Sequence, residues 1–210
     1  MDHAAAVAHL RKEVANTARA ETGRLVTTGE PAFFGAVRAV MSDLDYVAAL
    51  YYGWNGARRD QLATKKKTVR FIREVVNDAA AGQGYDRWAS HLYELYRTGV
   101  VHLRAPKILS NADNDPPKLG WLLMQQRAEP LPAGLGPGQA QHLRPAHRKG
   151  HDTLLLPLAI DALFEDYLAA VDLFANGLQD EAAADETPML DRWRQTADAL
   201  CDPDPSQLQW

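Results

Sequence analysis

Cysteine is nearly absent. The single Cys201 can form no internal disulfide, and no Cys cluster suggests a structural zinc. Long apolar runs are missing too. The longest candidate, Leu154 to Ile160, is interrupted by Pro157 and falls far short of the ~18 residues a bilayer span needs. The N-terminus lacks a basic-then-apolar leader pattern, because His9, Arg11, Lys12 and Glu13 break it early. These absences predict a cytoplasmic protein with no membrane partner. There is no Gly-x4-Gly-Lys phosphate loop and no Gly-x-Ser-x-Gly elbow. The run Gly134 to Gly138 lacks the strand-to-helix setting of a dinucleotide site, so no cofactor is expected.

What remains is the composition of an ordinary globular chain of 210 residues, 46% hydrophobic and 24% charged, long enough for one well-buried core. Its net charge of -4 conceals an asymmetry. Residues 1–151 carry 21 Lys/Arg against 14 Asp/Glu, whereas residues 152–210 carry 2 against 13. Such a division suits an anionic partner on the basic part, or basic and acidic helices that pair with each other.

Hydrophobic spacing predicts mostly helix. His3 to Thr22 is Ala-rich, with Val7, Leu10, Val14 and Ala18 on one face. In Phe33 to Tyr52, the residues Phe33, Val37, Val40, Met41, Leu44, Val47 and Tyr51 form a continuous buried stripe. A third helix is expected over Asp60 to Ala80, and a fourth from about Asp86 to Gly99. A long helix capped by Asp152 or Thr153 should reach about Leu178, and Thr187-Pro188 should open a last one through Leu200. Gly120 to Gln126 reads as a strand that pairs with Gln139 to Arg144 across a Gly/Pro-rich loop. The fold class expected is therefore mainly α: a bundle of about five to six helices with a small two-stranded β insertion. Neither an internal repeat nor a second domain is apparent.

Two groups of residues carry chemistry. The first is basic: Arg58, Arg59, Lys65, Lys66, Lys67, Arg70 and Arg73 lie on or beside the third helix, a surface suited to a nucleic-acid backbone or simply to solvent. The second is the stretch from Tyr93 to Lys107, where an aromatic helix runs into Arg97, Gly99 permits a bend, and His102 follows before Pro106. Cleaving RNA without metal needs a base near the 2′-hydroxyl, an acid for the 5′-oxygen and a cation against the phosphoryl oxygens. Histidine moves protons near neutral pH, and arginine binds phosphate in a bidentate way. Five residues along a regular helix rotate by about 140°, so a bend is needed to bring Arg97 and His102 to one cleft. Arg97 also lies three residues after Glu94, the spacing of a helical ion pair. His142, His147 and His151 cluster in sequence, but Pro145 and Gly150 argue against a helical metal pair, and no metal is expected.

The stretch LYELYRTGVVH followed by Pro106-Lys107 resembles the Arg-x4-His signature of the HEPN superfamily. The YYG helix end (Tyr51, Tyr52, Gly53) and the later helix carrying Asp166 resemble a widespread bacterial branch of it. The resemblance implies one HEPN-like helical domain over 1–210, with a core at about 33–180, the β insertion at about 119–145 and a frayed tail at 202–210. It implies a metal-independent endoribonuclease, a toxin or anti-phage effector, whose sites form where two motifs face each other in a homodimer. A cognate antitoxin or regulatory protein would then be a further partner. By carry-over, Arg97 binds the scissile phosphate and His102 is the general acid/base, with Thr98, Glu94 and Tyr93 in support. One departure matters: catalytic members usually place Asn, Asp or His after the arginine, whereas this chain has Thr98, which cannot ionise near neutral pH. A non-catalytic module binding nucleic acid or a partner protein, and a bundle in which Arg97 and His102 only pack, both stay open.

Overall fold

The computed structural model describes residues 2–56, 65–99, 106–110, 118–133, 135, 138–147 and 152–201. Arg58, Arg59, His102, His151 and the tail 202–210 lie outside the described residues. None of the described helices is long and apolar enough to cross a membrane.

The chain begins with one long helical rod: α1 (His3–Ala8), a π-helical stretch (His9–Ala15) and α2 (Asn16–Thr28). A short 3-10 turn leads into α3 (Phe33–Tyr52), whose bounds are those the apolar stripe predicts. α3 is the centre of the bundle and packs against α2, α4 (Lys65–Phe71), α7 (Ile160–Ala183) and α8 (Pro188–Cys201). Its Val37, Val40, Met41, Leu44, Val47 and Leu50 are fully or almost fully buried. The fourth helix comes after α5 (Asn77–Ala79). It starts as α6 (Tyr85–Leu92) and ends as a second kind of turn, the π-helical Tyr93–Thr98.

α3 stops at Gly53, where the backbone takes φ +83°. There the amide of Gly53 still bonds Ala49 O, and α8 closes over the exposed carbonyls. Arg192 Nε donates to Tyr51 O at 2.8 Å and Thr196 Oγ1 to Ala49 O at 2.9 Å. The positive φ is what calls for glycine here, since a Cβ would meet closely only the movable end of Gln195, Oε1 at 2.8 Å.

The β region is larger than the two-stranded insertion expected. A four-stranded sheet has the order β1-β2-β6-β5, formed by β1 (Leu109–Ser110), β2 (Lys118–Met124), β5 (Ala146–His147) and β6 (Thr153–Ala159). A separate antiparallel pair joins β3 (Ala128–Pro130) to β4 (Gln139–Gln141). The strand read at 120–126 is thus real, but its main partner is β6, in parallel register from Lys118↔Thr153 to Met124↔Ala159. Residues 153–159 are therefore not the start of the long helix, which begins at Ile160. The physical reason is burial: Leu155 to Ala159 are all buried, giving a continuous apolar run with no alternation to distinguish strand from helix. Pro157 is tolerated because its carbonyl faces away from β2 and accepts the Leu143 N–H at 2.9 Å. The missing proline N–H therefore falls on the side of the short edge strand and breaks no β2–β6 bond.

Replacing Gly53 by Ala should lower the unfolding free energy by about 1–3 kcal/mol, the usual range for a residue forced into such backbone geometry. Urea denaturation against wild type measures this directly, and an unchanged midpoint would refute the capping role.

Candidate functional site

Arg97 sits in the π-helical turn Tyr93–Thr98, and it faces inward. Its Nε donates to Asp45 Oδ2 at 2.5 Å, and Thr68 Oγ1 donates to Asp45 Oδ1 at 2.5 Å. Asp45 lies in the middle of α3 among core residues, with a side-chain exposure of 4%, while Arg97 keeps 16%. A carboxylate desolvated this far persists only when its lone pairs are taken up, here by one charged donor and one neutral donor from two other helices. The geometry consumes Nε. Among the described residues nothing bonds the two Nη groups, so the far edge of the guanidinium retains its donors.

The i, i+3 pair expected between Glu94 and Arg97 does not form. Glu94 instead accepts from Lys65 Nζ at 2.6 Å, across from α4. Gly99 makes no bend either, since its φ of -66° and ψ of -61° continue the helix. Tyr93 and Thr98 are half-buried. Burial and then the Asp45 carboxylate raise the Tyr93 phenol, which keeps it protonated at neutral pH.

The basic group is only partly available. Arg70 Nε bonds Glu74 Oε1 at 2.8 Å, Tyr52 Oη donates to the other Glu74 oxygen at 2.8 Å, and the Arg70 guanidinium lies 4.6 Å from the Tyr52 ring centre. Lys65 is held by Glu94, Lys67 is half-buried, and Lys66 and Arg73 point to solvent. Reading by sequence passed over His91, on the exposed side of α6. Burial against its neighbours lowers its pKa first, and the charges of Lys65 and Arg87 lower it further, so the imidazole is neutral at pH 7. Arg87 stacks on Trp88, 4.9 Å from the ring centre, and Trp88 packs edge-on to His91 at 5.2 Å. Of these, only Arg87, exposed on α6, adds a positive charge beyond α4.

A second buried polar cluster joins the sheet to the bundle. Asp166 of α7 accepts from Arg127 Nη2 at 2.7 Å and from Tyr85 Oη at 2.9 Å. Tyr85 Oη is also 3.0 Å from His142 Nε2, while His142 Nδ1 accepts the Ala159 N–H at 3.0 Å. The backbone N–H can only donate, so Nδ1 is bare, Nε2 carries the proton and donates to Tyr85, and Tyr85 donates to Asp166. Burial, with a smaller contribution from Arg127, pushes the His142 pKa down to about 3, in keeping with this neutral tautomer. The cluster is too enclosed for a substrate to reach His142 or Tyr85. Of the three histidines noted in the sequence, His142 is buried here, His147 is exposed on β5, and His151 lies outside the described residues. Among the described residues no group of His, Cys, Asp or Glu is arranged to hold a metal ion.

No family model, curated protein or solved structure matches this chain.

Arg97→Met should cost about 3 kcal/mol, because it strands the Asp45 charge, whereas Asp45→Leu with Arg97→Met should recover most of that loss. Additive losses in chemical denaturation would show that the two side chains are not coupled. His142 gives a pH signature. Its folded pKa lies below the ordinary 6.5, so its contribution is intact above pH 6.5 and is lost as pH falls towards about 3. The slope within that window approaches ~1.4 kcal/mol per pH unit. His142→Gln should flatten the fall in stability across this window, and parallel curves for mutant and wild type would exclude the assignment.

Proposed function

We propose that the chain is a HEPN-like, metal-independent endoribonuclease, a toxin or anti-phage effector, in which Arg97 grips the scissile phosphate and His102 transfers protons. The observation that supports this most is the way Asp45, itself fixed by Thr68, holds Arg97 by Nε alone. A guanidinium steadied from behind presents its two Nη groups as a preorganised pair for phosphoryl oxygens. Such preorganisation lets a charge count most where it develops. His102 enters by its place in the Arg-x4-His pattern. In the reaction, the 2′-oxygen attacks phosphorus as a base removes its proton, and the P–O5′ bond breaks as an acid protonates the leaving oxygen. The products are a 2′,3′-cyclic phosphate and a 5′-hydroxyl. Paired motifs of a homodimer would supply two histidines for the two proton transfers. Lys66, Arg73, Arg87 and Lys65 would follow the strand by its phosphates.

A non-catalytic RNA- or partner-binding module is the second reading. It is favoured by the depth of Arg97, only 16% exposed and neutralised by Asp45, and by Thr98 beside it.

The deciding experiment incubates purified protein with mixed structured and unstructured RNA in EDTA, beside His102→Ala and Arg97→Lys. Cleavage by wild type alone, leaving cyclic phosphate ends, is the expected result, with Arg97→Lys folded but slowed at least tenfold. Equal cleavage by His102→Ala would overturn the nuclease reading. RNA binding without cleavage, weakened by salt and by Lys66→Glu with Arg73→Glu, would establish the second reading instead.

A further inference from the structure

On the outer side of α4, Arg70 is spent as a charge but not as a surface. Its Nε donates to Glu74 Oε1 at 2.8 Å, and the Tyr52 hydroxyl donates to the other Glu74 oxygen at 2.8 Å. One carboxylate thereby holds a guanidinium and a phenol together. The guanidinium carbon stands 4.6 Å from the Tyr52 ring centre, within the range of a cation–π contact. We propose that Arg70, mounted on Tyr52, is a stacking platform for an unpaired nucleobase. The proposal rests on the nucleic-acid reading above and deepens it, without requiring that the chain cleave what it binds.

The mount is firm. Tyr52 is the last residue of α3, and its ring meets that of Tyr51 edge-on at 5.0 Å. Tyr51 in turn packs edge-on against Phe71 and Phe174. The plane is also accessible, since 58% of the Arg70 side chain is exposed and the tyrosine ring lies against only one of its two faces. Its charge, by contrast, is already balanced. A phosphate approaching Arg70 meets the half-exposed Glu74 carboxylate beside it, and the pair offers an anion little net attraction. A neutral base suffers no such penalty, and a guanidinium plane is a surface on which bases stack.

Positive charge lies to either side instead. Lys66, four residues before Arg70, and Arg73, three residues after it, have the spacings that place side chains on one helix face, and both are exposed. They suit the phosphates that flank a single stacked base, the combination of cations and flat surfaces by which single strands are held. Such a platform reads the face of a base and not its edge, so it tolerates any base and favours the larger purines. Duplex is excluded, because its bases already stack on one another. Single-stranded RNA is therefore the class that fits.

Fluorescence anisotropy of the full chain separates base from phosphate. The probes are labelled 2′-O-methyl oligo(A), which lacks the attacking hydroxyl, and an abasic strand of equal length. Wild type should bind oligo(A) about tenfold more tightly than the abasic strand. Arg70→Lys keeps the charge and loses the plane, so it should bring oligo(A) down to the abasic affinity and leave the abasic strand unmoved. Lys66→Glu should weaken both strands alike. Tyr52→Leu, which removes the ring beneath the guanidinium, should repeat the effect of Arg70→Lys without adding to it in the double variant. Arg70 and Lys66 are exposed, so their variants should keep the wild-type thermal melt. Equal binding of oligo(A) and the abasic strand, or equal loss on both in Arg70→Lys, would overturn the platform. Neither result touches the nuclease reading, which stands or falls on cleavage by His102→Ala. A polyglutamate peptide bound as tightly as oligo(A), or no binding of either strand at low salt, would also overturn the proposal.

Discussion

One buried carboxylate, Asp166, holds the two halves of this protein together. It receives Arg127 from the β region and Tyr85 from α6, and through Tyr85 it is linked to His142 and to the backbone of Ala159, the last residue of β6. Every donor and acceptor in that chain has one orientation in which all are satisfied. Such a network specifies geometry more than it adds net stability, since a desolvated charge is offset by its partners and gains little beyond them. The sheet could slide on a purely apolar interface. It cannot slide on this one without leaving a charge unpaired.

Asp45 repeats the construction in α3. Both acids are buried on an otherwise apolar helical face, Asp45 near the middle of α3 and Asp166 in the second turn of α7, and both take an arginine from a different part of the chain. The charge asymmetry of the sequence is also partly resolved inside the molecule. Arg11 pairs with Asp172, Lys118 with Asp152, and Arg127 with Glu165 as well as Asp166. The first three pairs are solvent-exposed and each contributes little. Among the described residues, Lys66, Arg73 and Arg87 remain as an exposed basic surface.

Much of the helical architecture was legible because periodicity is a local property. α3 runs over Phe33–Tyr52 as its stripe demands, and α8 begins at Pro188, directly after Thr187. The strand β6 was not legible, because a run buried on both faces carries no period and its partner β2 lies about thirty residues away. The same limit applied to the site. Glu94 and Arg97 have the spacing of a helical pair, but each found a stronger partner on another helix. A signal for one of those partners did exist: Asp45 directly follows Leu44 and precedes Val47 and Ala48 within the most apolar helix of the chain. An acid in that position needs a cation, and Arg97 was a candidate to supply it.

The helices that carry the chemistry contain π-helical turns, at His9–Ala15, Ile72–Val76 and Tyr93–Thr98. A turn closed by i→i+5 bonds holds one residue more than an α-turn, so it behaves as a one-residue insertion absorbed without a loop. Everything beyond it is rotated by roughly 100° relative to an unbroken α-helix. Arg97 thus owes its heading towards Asp45 to the length of the chain as much as to the identity of its residues. A deletion of a single residue upstream in that turn, leaving every functional side chain in place, would point the arginine at a different neighbour.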